Sequence, residues 1–309
     1  MANANGWGDG ASNNNIGWGK GADNAIGWGA IHADSYAGLT DIVGTPAFTG
    51  LLDTYTGAEA AYSLRLLRTA YTGNAIRVRR SSDNAEQDFG FVSNDLDTAS
   101  LLTFCGAGNG FVTTWYDQSG NANNGTQTTA ANQPQIVSSG ALLTVNSKTC
   151  MSFDGSNDRF NLASTITGAA SNYNSFVGKR DATARALFGL ANGLAGTGYF
   201  WGLATDNNYY LQGKTTQYQA STATDSTISQ LLLTGLNNSG TMSMFKNGNT
   251  ITSSANTLLI NTNISTIGFY SNNAAVANCK LQEIVFYNSE QSANRTGIES
   301  DINTFYTIY

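Results

Sequence analysis

Charge, proline, histidine and cysteine are all scarce in this sequence, and each scarcity removes a class of protein. Only 12% of the residues are charged, too few for a soluble helical protein, whose exposed helix faces are covered by Lys and Glu. A single histidine, His32, excludes a His-based metal set and leaves a Ser/His/Asp triad only one candidate, in a connector. The three cysteines, Cys105, Cys150 and Cys279, are odd in number and far apart, with no Cys-x-x-Cys spacing. Free thiols of a reducing compartment are expected rather than a disulfide framework or a zinc site. No apolar run is long enough to cross a bilayer. The start, MANANGWGDG, lacks the basic and apolar regions of a secretory signal. The net charge of -6 leaves no basic stripe for a nucleic-acid backbone. The local cluster of Arg77, Arg79 and Arg80 has Asp83, Glu86 and Asp88 beside it and reads as a solvated strand-and-turn face.

What is present points to β-structure. Hydrophobic residues reach 41%, with 14 Tyr and 14 Phe, and the polar surface falls to Asn, Thr, Ser and Gly, which suit turns and exposed strand faces. Alternation marks a strand at residues 75–79 and further strands at 110–116, 135–137, 150–153, 175–178, 186–190, 199–203, 209–212, 230–235, 241–246, 265–270 and 280–287. Turn signals such as Asp154-Gly155 and Asn247-Gly248-Asn249 separate them. A dozen short strands at this spacing make an all-β, two-sheet jelly-roll sandwich. Two helices are expected beside it. Residues 58–70 place Ala61, Leu64, Leu67 and Tyr71 at helical spacing, and Glu290 to Tyr309 puts Ile298, Ile302 and Phe305 on one face.

The first thirty residues carry a repeat. Gly-Trp-Gly recurs around Trp7, Trp18 and Trp28, at intervals of eleven and ten residues, with Ile16 and Ile26 before the second and third copies. That period is too short for a globular repeat, and glycines on both sides of each indole make ordering costly. The segment is expected to dock rather than fold alone, with Trp7, Ile16, Trp18, Ile26 and Trp28 filling pockets on a partner as interface anchors do. The domain reading is residues 1–30 as docking segment, 31–57 as connector, and 58–309 as sandwich.

Residues 61–68 (AYSLRLLR) and 71–83 (YTGNAIRVRRSSD), then Phe104-Cys105, residues 113–121 (TTWYDQSGN) and 132–136 (NQPQI), resemble in order the opening of the fungal arabinofuranosidase B catalytic domain. The pattern of residues 281–287 (LQEIVFY) followed by a helix is similar to the last strand of laminin-G and concanavalin A-like domains. The resemblance implies a lectin/glucanase-type jelly roll. The first block and the Gly-Trp-Gly repeat are also similar to segments of phage tail and virion proteins. In the arabinofuranosidase family the two carboxylates of the retaining mechanism, about 5 Å apart, fall in the central and late parts of the domain. The corresponding segments here, 186–193 (ALFGLANG) and 267–274 (IGFYSNNA), contain no Asp or Glu, which implies a scaffold without catalytic residues.

Other polar groups have structural or binding readings. Asp117, Asp154 and Asp158 sit in turn-like runs and are the candidates for a calcium ion, the one cofactor considered. Glu283, on the last strand, needs a partner if it is buried. Tyr199, Trp201, Tyr209 and Tyr210 alternate with Gly and Asn and are the candidate platforms for a glycan. The expected function is a phage virion appendage: a head fibre, tail fibre or decoration protein, assembled in the host cytoplasm. It would be homotrimeric, docked to capsid, portal or tail proteins, and would recognise a host-surface glycan without nucleic-acid or membrane partners. The alternatives are an arabinofuranosidase-type glycoside hydrolase acting on surface polysaccharide, and a purely structural capsid ornament.

Overall fold

The structure is a computed structural model that describes residues 48–309, except 170, 184–186, 192–199, 204–206, 215–216, 239–240, 256–262 and 271–274, and a short ladder near the N-terminus. The chain divides into two compact units, Met1–Phe48 and Thr49–Tyr309. In the first, Ile26–Gly27 pairs antiparallel with Ala30–Ile31. Trp7, Ile16, Trp18 and Trp28 lie outside the described residues.

The second unit is the expected all-β sandwich, and its strands belong largely to one continuous antiparallel sheet that forms both layers. At the centre of the first layer is the ten-residue strand Asn278–Tyr287. One edge of it pairs with Asn172–Arg180, followed by Leu231–Asn238, Thr241–Lys246 and Asn249–Ala255. Its other edge is shared by Met151–Asp154 and Ala60–Ser63. The second layer runs from Glu86–Phe89 through Ile76–Arg80, Gly110–Trp115, Gly125–Thr126, Phe160–Thr167, Asn263–Ile267, Leu187–Ala191 and Phe200–Leu203 to Asn208–Lys214 and Gln217–Thr224. The strand Gln135–Ser138 joins the layers, because Gln135 pairs with both Phe111 and Ser152.

Two cores follow from the alternation. Between the layers, Tyr62 and Phe153 meet Trp115 and Phe160, with ring centroids 5.7 to 6.3 Å apart. Outside the first layer, Val285, Tyr287, Tyr173, Val177, Leu232 and Leu236 pack against the helices Leu51–Thr54 and Arg295–Tyr306 through Leu51, Leu52, Ile298, Ile302 and Tyr306. The central strands are therefore buried on both faces and read as continuous apolar runs. Along Asn278–Tyr287, Cys279 and Leu281 face the inner core, and so do Ile284 and Phe286. This change of phase coincides with a register shift opposite Val177 and Gly178, as a bulge produces.

The expected helix at 58–70 is a strand instead. Ala60–Ser63 pairs with Glu283–Phe286, sending Ala60 and Tyr62 to one core and Ala61 to the other. Tertiary burial on both faces overrides the helical preference of an Ala- and Leu-rich run. The short helix of this region lies earlier, at Leu51–Thr54, within residues assigned to the connector. A second helix, Thr98–Cys105, escapes the sequence reading, although Asp97 caps it by accepting from the Ser100 amide at 3.1 Å.

One buried ion pair ties the ends of the unit together. Glu283, 1% exposed, accepts two parallel bonds from Arg65, at 2.7 and 3.0 Å. Ser63 Oγ and the Tyr306 hydroxyl donate to the same carboxylate, at 2.8 and 3.2 Å. The Arg65 guanidinium also reaches Asp301 at 2.8 Å and lies 5.0 Å from the Phe305 ring centroid. The three cysteines are free and buried, and burial pushes the Cys150 thiol up to about 12.

Replacing one partner of this pair strands a buried charge, which costs about 3–5 kcal/mol in comparable sites. Arg65→Met is expected to lower the unfolding free energy measured by urea denaturation by that order, with a lower midpoint, while the double variant Arg65→Met/Glu283→Leu recovers much of it. Equal midpoints for the single variant and wild type would contradict this account.

Candidate functional site

The two segments that the arabinofuranosidase likeness singles out are brought side by side. Leu187–Ala191 pairs with Asn263–Ile267 in the register Leu190 to Ile267 and Ala191 to Thr266. Gly268 donates its amide to the Gly189 carbonyl at 3.0 Å, and Thr266 Oγ1 donates to the Ala191 carbonyl at 3.1 Å. Glycoside hydrolysis requires two carboxylates facing each other about 5–9.5 Å apart. Here the paired strand ends carry Gly189, Leu190 and Ala191 against Ile267, Gly268 and Phe269, with Leu190, Ala191 and Ile267 fully buried. Residues 186, 192–193 and 271–274 lie outside the described residues, and by sequence they contain no carboxylate either.

The turn after Met151–Asp154 lies against this junction. A β-carbon on Gly268 would come within 3.5 Å of the Asp158 carbonyl oxygen, and the Arg159 guanidinium lies 4.6 Å from the Phe269 ring centroid. Asp158 is 5% exposed, and its Oδ2 accepts the Asp154 amide at 2.9 Å. Burial, followed by the charge of Asp154, pushes its carboxyl up to about 7. Asp154 Oδ1 in turn accepts the amides of Ser156 and Asn157 at 2.8 and 3.2 Å.

Asp117, the third residue considered for a calcium ion, is likewise engaged by a turn. Asp117 is buried, with Oδ1 taking the Ala61 and Ser119 amides at 2.9 Å each, and Oδ2 taking Ser119 Oγ and the Asn123 amide at 2.7 and 3.1 Å. Its oxygens are filled by the turn they hold, which leaves little for a cation. Among the described residues, no group of three or more His, Cys, Asp or Glu side chains gathers to hold a metal ion.

One of the four aromatics expected to form a glycan platform, Tyr209, lies in the core. Tyr209 is 2% exposed and sits in the inner core, donating its hydroxyl to the Asp225 carboxylate. That carboxylate also takes Lys246 Nζ at 2.5 Å and the Thr227 amide at 2.7 Å. A ring so placed offers no face to a sugar. Tyr199 and the side chains of Trp201 and Tyr210 lie outside the described residues. The strand pairing sets Trp201 opposite Leu211, and Tyr210 opposite Gly202.

Two concavities are lined by described residues. One, of about 400 Å3, lies between residues 92–99 and 142–149. The other, of about 350 Å3, is lined by Thr56, Glu59, Arg68, Ser119 and Asn121 among others. The first contains two carboxylates, both engaged. Asp95 pairs with Lys148 at 3.1 Å, and Asp97 caps the helix Thr98–Cys105 through Ser100, whose hydroxyl and amide hold the carboxyl below its ordinary value. The second contains one, Glu59. Neither presents a free pair for acid–base work on a glycosidic bond. The first concavity was legible only as scattered turn signals, Ser93-Asn94 and Asn146-Ser147, with nothing in sequence to bring them together.

Comparison with known proteins agrees with this architecture. The family model for the catalytic domain of α-L-arabinofuranosidase B matches residues 52–152. A GH54 α-L-arabinofuranosidase soaked with a cyclic sulfate inhibitor is 18% identical, with a TM-score of 0.67 over 82% of this chain and 65% of that one. An arabinofuranosidase complexed with arabinofuranosyl-α-1,2-xylobiose is also 18% identical, with a TM-score of 0.65 over 82% and 64%. A variant of a GH54 enzyme soaked with 4-nitrophenyl α-L-arabinofuranoside gives 18% and 0.63 over 82% and 65%. No curated protein matches the chain. The chain thus spans about 65% of the length of these enzymes and has the arabinofuranosidase-type β-sandwich fold.

The Asp158 value predicts a pH dependence of stability. With a folded value of about 7, the native chain takes up a proton on Asp158 well before the unfolded chain does, near pH 4. This contribution is full below about pH 4 and is lost as pH rises to about 7. Asp158→Asn, which still accepts the Asp154 amide, is expected to flatten that slope and to be more stable than wild type at pH 8. Urea midpoints at pH 5 and pH 8 check both points, and an unchanged slope would contradict the assignment.

Proposed function

We propose that this chain recognises carbohydrate, using an arabinofuranosidase-type sandwich as a binding domain rather than as a hydrolase. The observation that carries the reading is the junction of Leu187–Ala191 with Asn263–Ile267. The resemblance assigns the catalytic carboxylates to these strand ends, and the sequence there supplies none. Without a nucleophile and an acid/base partner there is no route to a glycosyl-enzyme intermediate. The sandwich retains the scaffold on which sugar-binding surfaces are built.

The setting we propose is a phage virion appendage, with the Gly-Trp-Gly segment docking to capsid, portal or tail proteins and the sandwich presented to a host-surface glycan as a homotrimer. Its support is the repeat at Trp7, Trp18 and Trp28 and the low-charge, Asn- and Thr-rich composition.

A second reading, glycoside hydrolysis, is favoured by the family-model match over residues 52–152 and by the solved arabinofuranosidases of the same fold. It would need carboxylates other than those of the family segments, and Asp158, whose backbone lies beside the junction, carries a buried carboxyl poised near neutrality.

Incubation with 4-nitrophenyl α-L-arabinofuranoside separates the two readings. No nitrophenol release above buffer is expected, whereas turnover that disappears in Asp158→Asn would establish the hydrolase. For the docking segment, deletion of residues 1–30 is expected to give a soluble sandwich that no longer incorporates into particles. Undiminished incorporation would remove the anchor role.

A further inference from the structure

We infer that the concavity of about 400 Å3 between two β-hairpins is a binding site for a neutral sugar residue; the inference rests on the carbohydrate reading above and gives it a location. One wall is the hairpin of Phe91–Val92 with Asp95–Leu96, turning through Ser93 and Asn94 at φ of 50° and 67°. The other is the hairpin of Thr144–Val145 with Lys148–Thr149, turning through Asn146 and Ser147 at 52° and 62°. Two consecutive left-handed residues give both turns the tight primed geometry of a two-residue hairpin.

Both walls are fixed from behind. The Asn94 carbonyl accepts the Leu66 amide at 2.9 Å. The buried Gln282 amide donates to the carbonyls of Val145, Lys148 and Thr149 at 3.1 to 3.3 Å. Asn146 Nδ2 reaches the Thr307 carbonyl at 2.7 Å. A cleft held this way loses little freedom when a ligand enters.

The lining has the chemistry of a polyol site. Ser93, Thr98, Thr144, Ser147 and Thr149 all line it, and among the described residues none of these hydroxyls makes an internal hydrogen bond. Between the walls, the Asp95–Lys148 pair offers acceptors and donors together while remaining partly exposed, at 43% and 31% for the two side chains. Apolar surface comes from Leu96, Leu142 and Val92, the last 58% exposed. Hydroxyl-bearing rims around apolar surface match a sugar's hydroxyls and C–H faces, and the volume lies within the roughly 300–1,000 Å3 of small-ligand sites. Charge selects against an anion, because two carboxylates line the cleft against one ammonium, and Asp97 already occupies the helix N-terminus.

The test is backbone-amide NMR on the full chain titrated with neutral arabino-, manno- and galacto-oligosaccharides, with anionic polysialic acid in parallel. Shifts in the amides of residues 92–99 and 142–149 with a neutral sugar are expected. Lys148→Met and Ala99→Tyr, the second filling the cleft from the exposed start of the helix, are each expected to weaken binding about tenfold. Arg68→Ala, in the other concavity, is expected to leave affinity unchanged. Unaltered urea midpoints separate these losses from unfolding. A neutral sugar that shifts other amides, or binds both cleft variants at full strength, overturns this site and leaves the carbohydrate reading standing. Preference for polysialic acid overturns the neutral class. Absence of any shift with every sugar overturns the site and the reading together.

Discussion

Two opposite charges removed from water, Arg65 and Glu283, set the terms for the rest of this sandwich. A carboxylate that is 1% exposed is tolerable only when its lone pairs are filled. Here the donors come from the first strand of the unit through Ser63, from the segment after it through Arg65, and from the last helix through Tyr306. The two ends of this unit must therefore converge on the central strand before the charge is satisfied. Once they do, the outer core of Leu51, Val285, Ile298 and Ile302 is closed.

The same region positions the two hairpins. Arg65 forms an isolated backbone bridge with Asp95, and Gln282, the neighbour of Glu283, holds the second hairpin by three carbonyls. A bulge in Asn278–Tyr287 lets Leu281 and Ile284 face the same core, placing Gln282 and Glu283 where the phase changes. Stability of the scaffold and shape of the polar cleft thus depend on one short stretch of the last strand.

Like the solved arabinofuranosidases of similar fold, this chain is built as a β-sandwich. The strand ends that meet at Leu190 and Ile267 carry apolar residues and glycine. Three buried acids of the described sandwich have structural duties: Asp117 closes a turn, Asp225 gathers Tyr209, Lys246 and Thr227, and Glu283 answers Arg65. A fold shared at 18% identity carries architecture from one protein to another, while chemistry depends on which side chains stand at a few strand ends.

Sequence alone determined the β class, most strand positions and the helix that ends the chain, because each is written in local periodicity and turn residues. It also placed Asp117 and Asp154 in turns, where their oxygens are now seen to accept backbone amides. Tertiary structure decided the rest. Ala60–Ser63 is a strand because both of its faces are covered, a condition no local spacing of Ala and Leu reveals. Tyr209 is core because its strand turns that residue inward, and alternation fixes two faces without saying which is buried. The cleft arises from hairpins about fifty residues apart in sequence, joined by Asp95 and Lys148. Contacts at that distance are set by how layers stack, which is a property of the whole fold and of no segment within it.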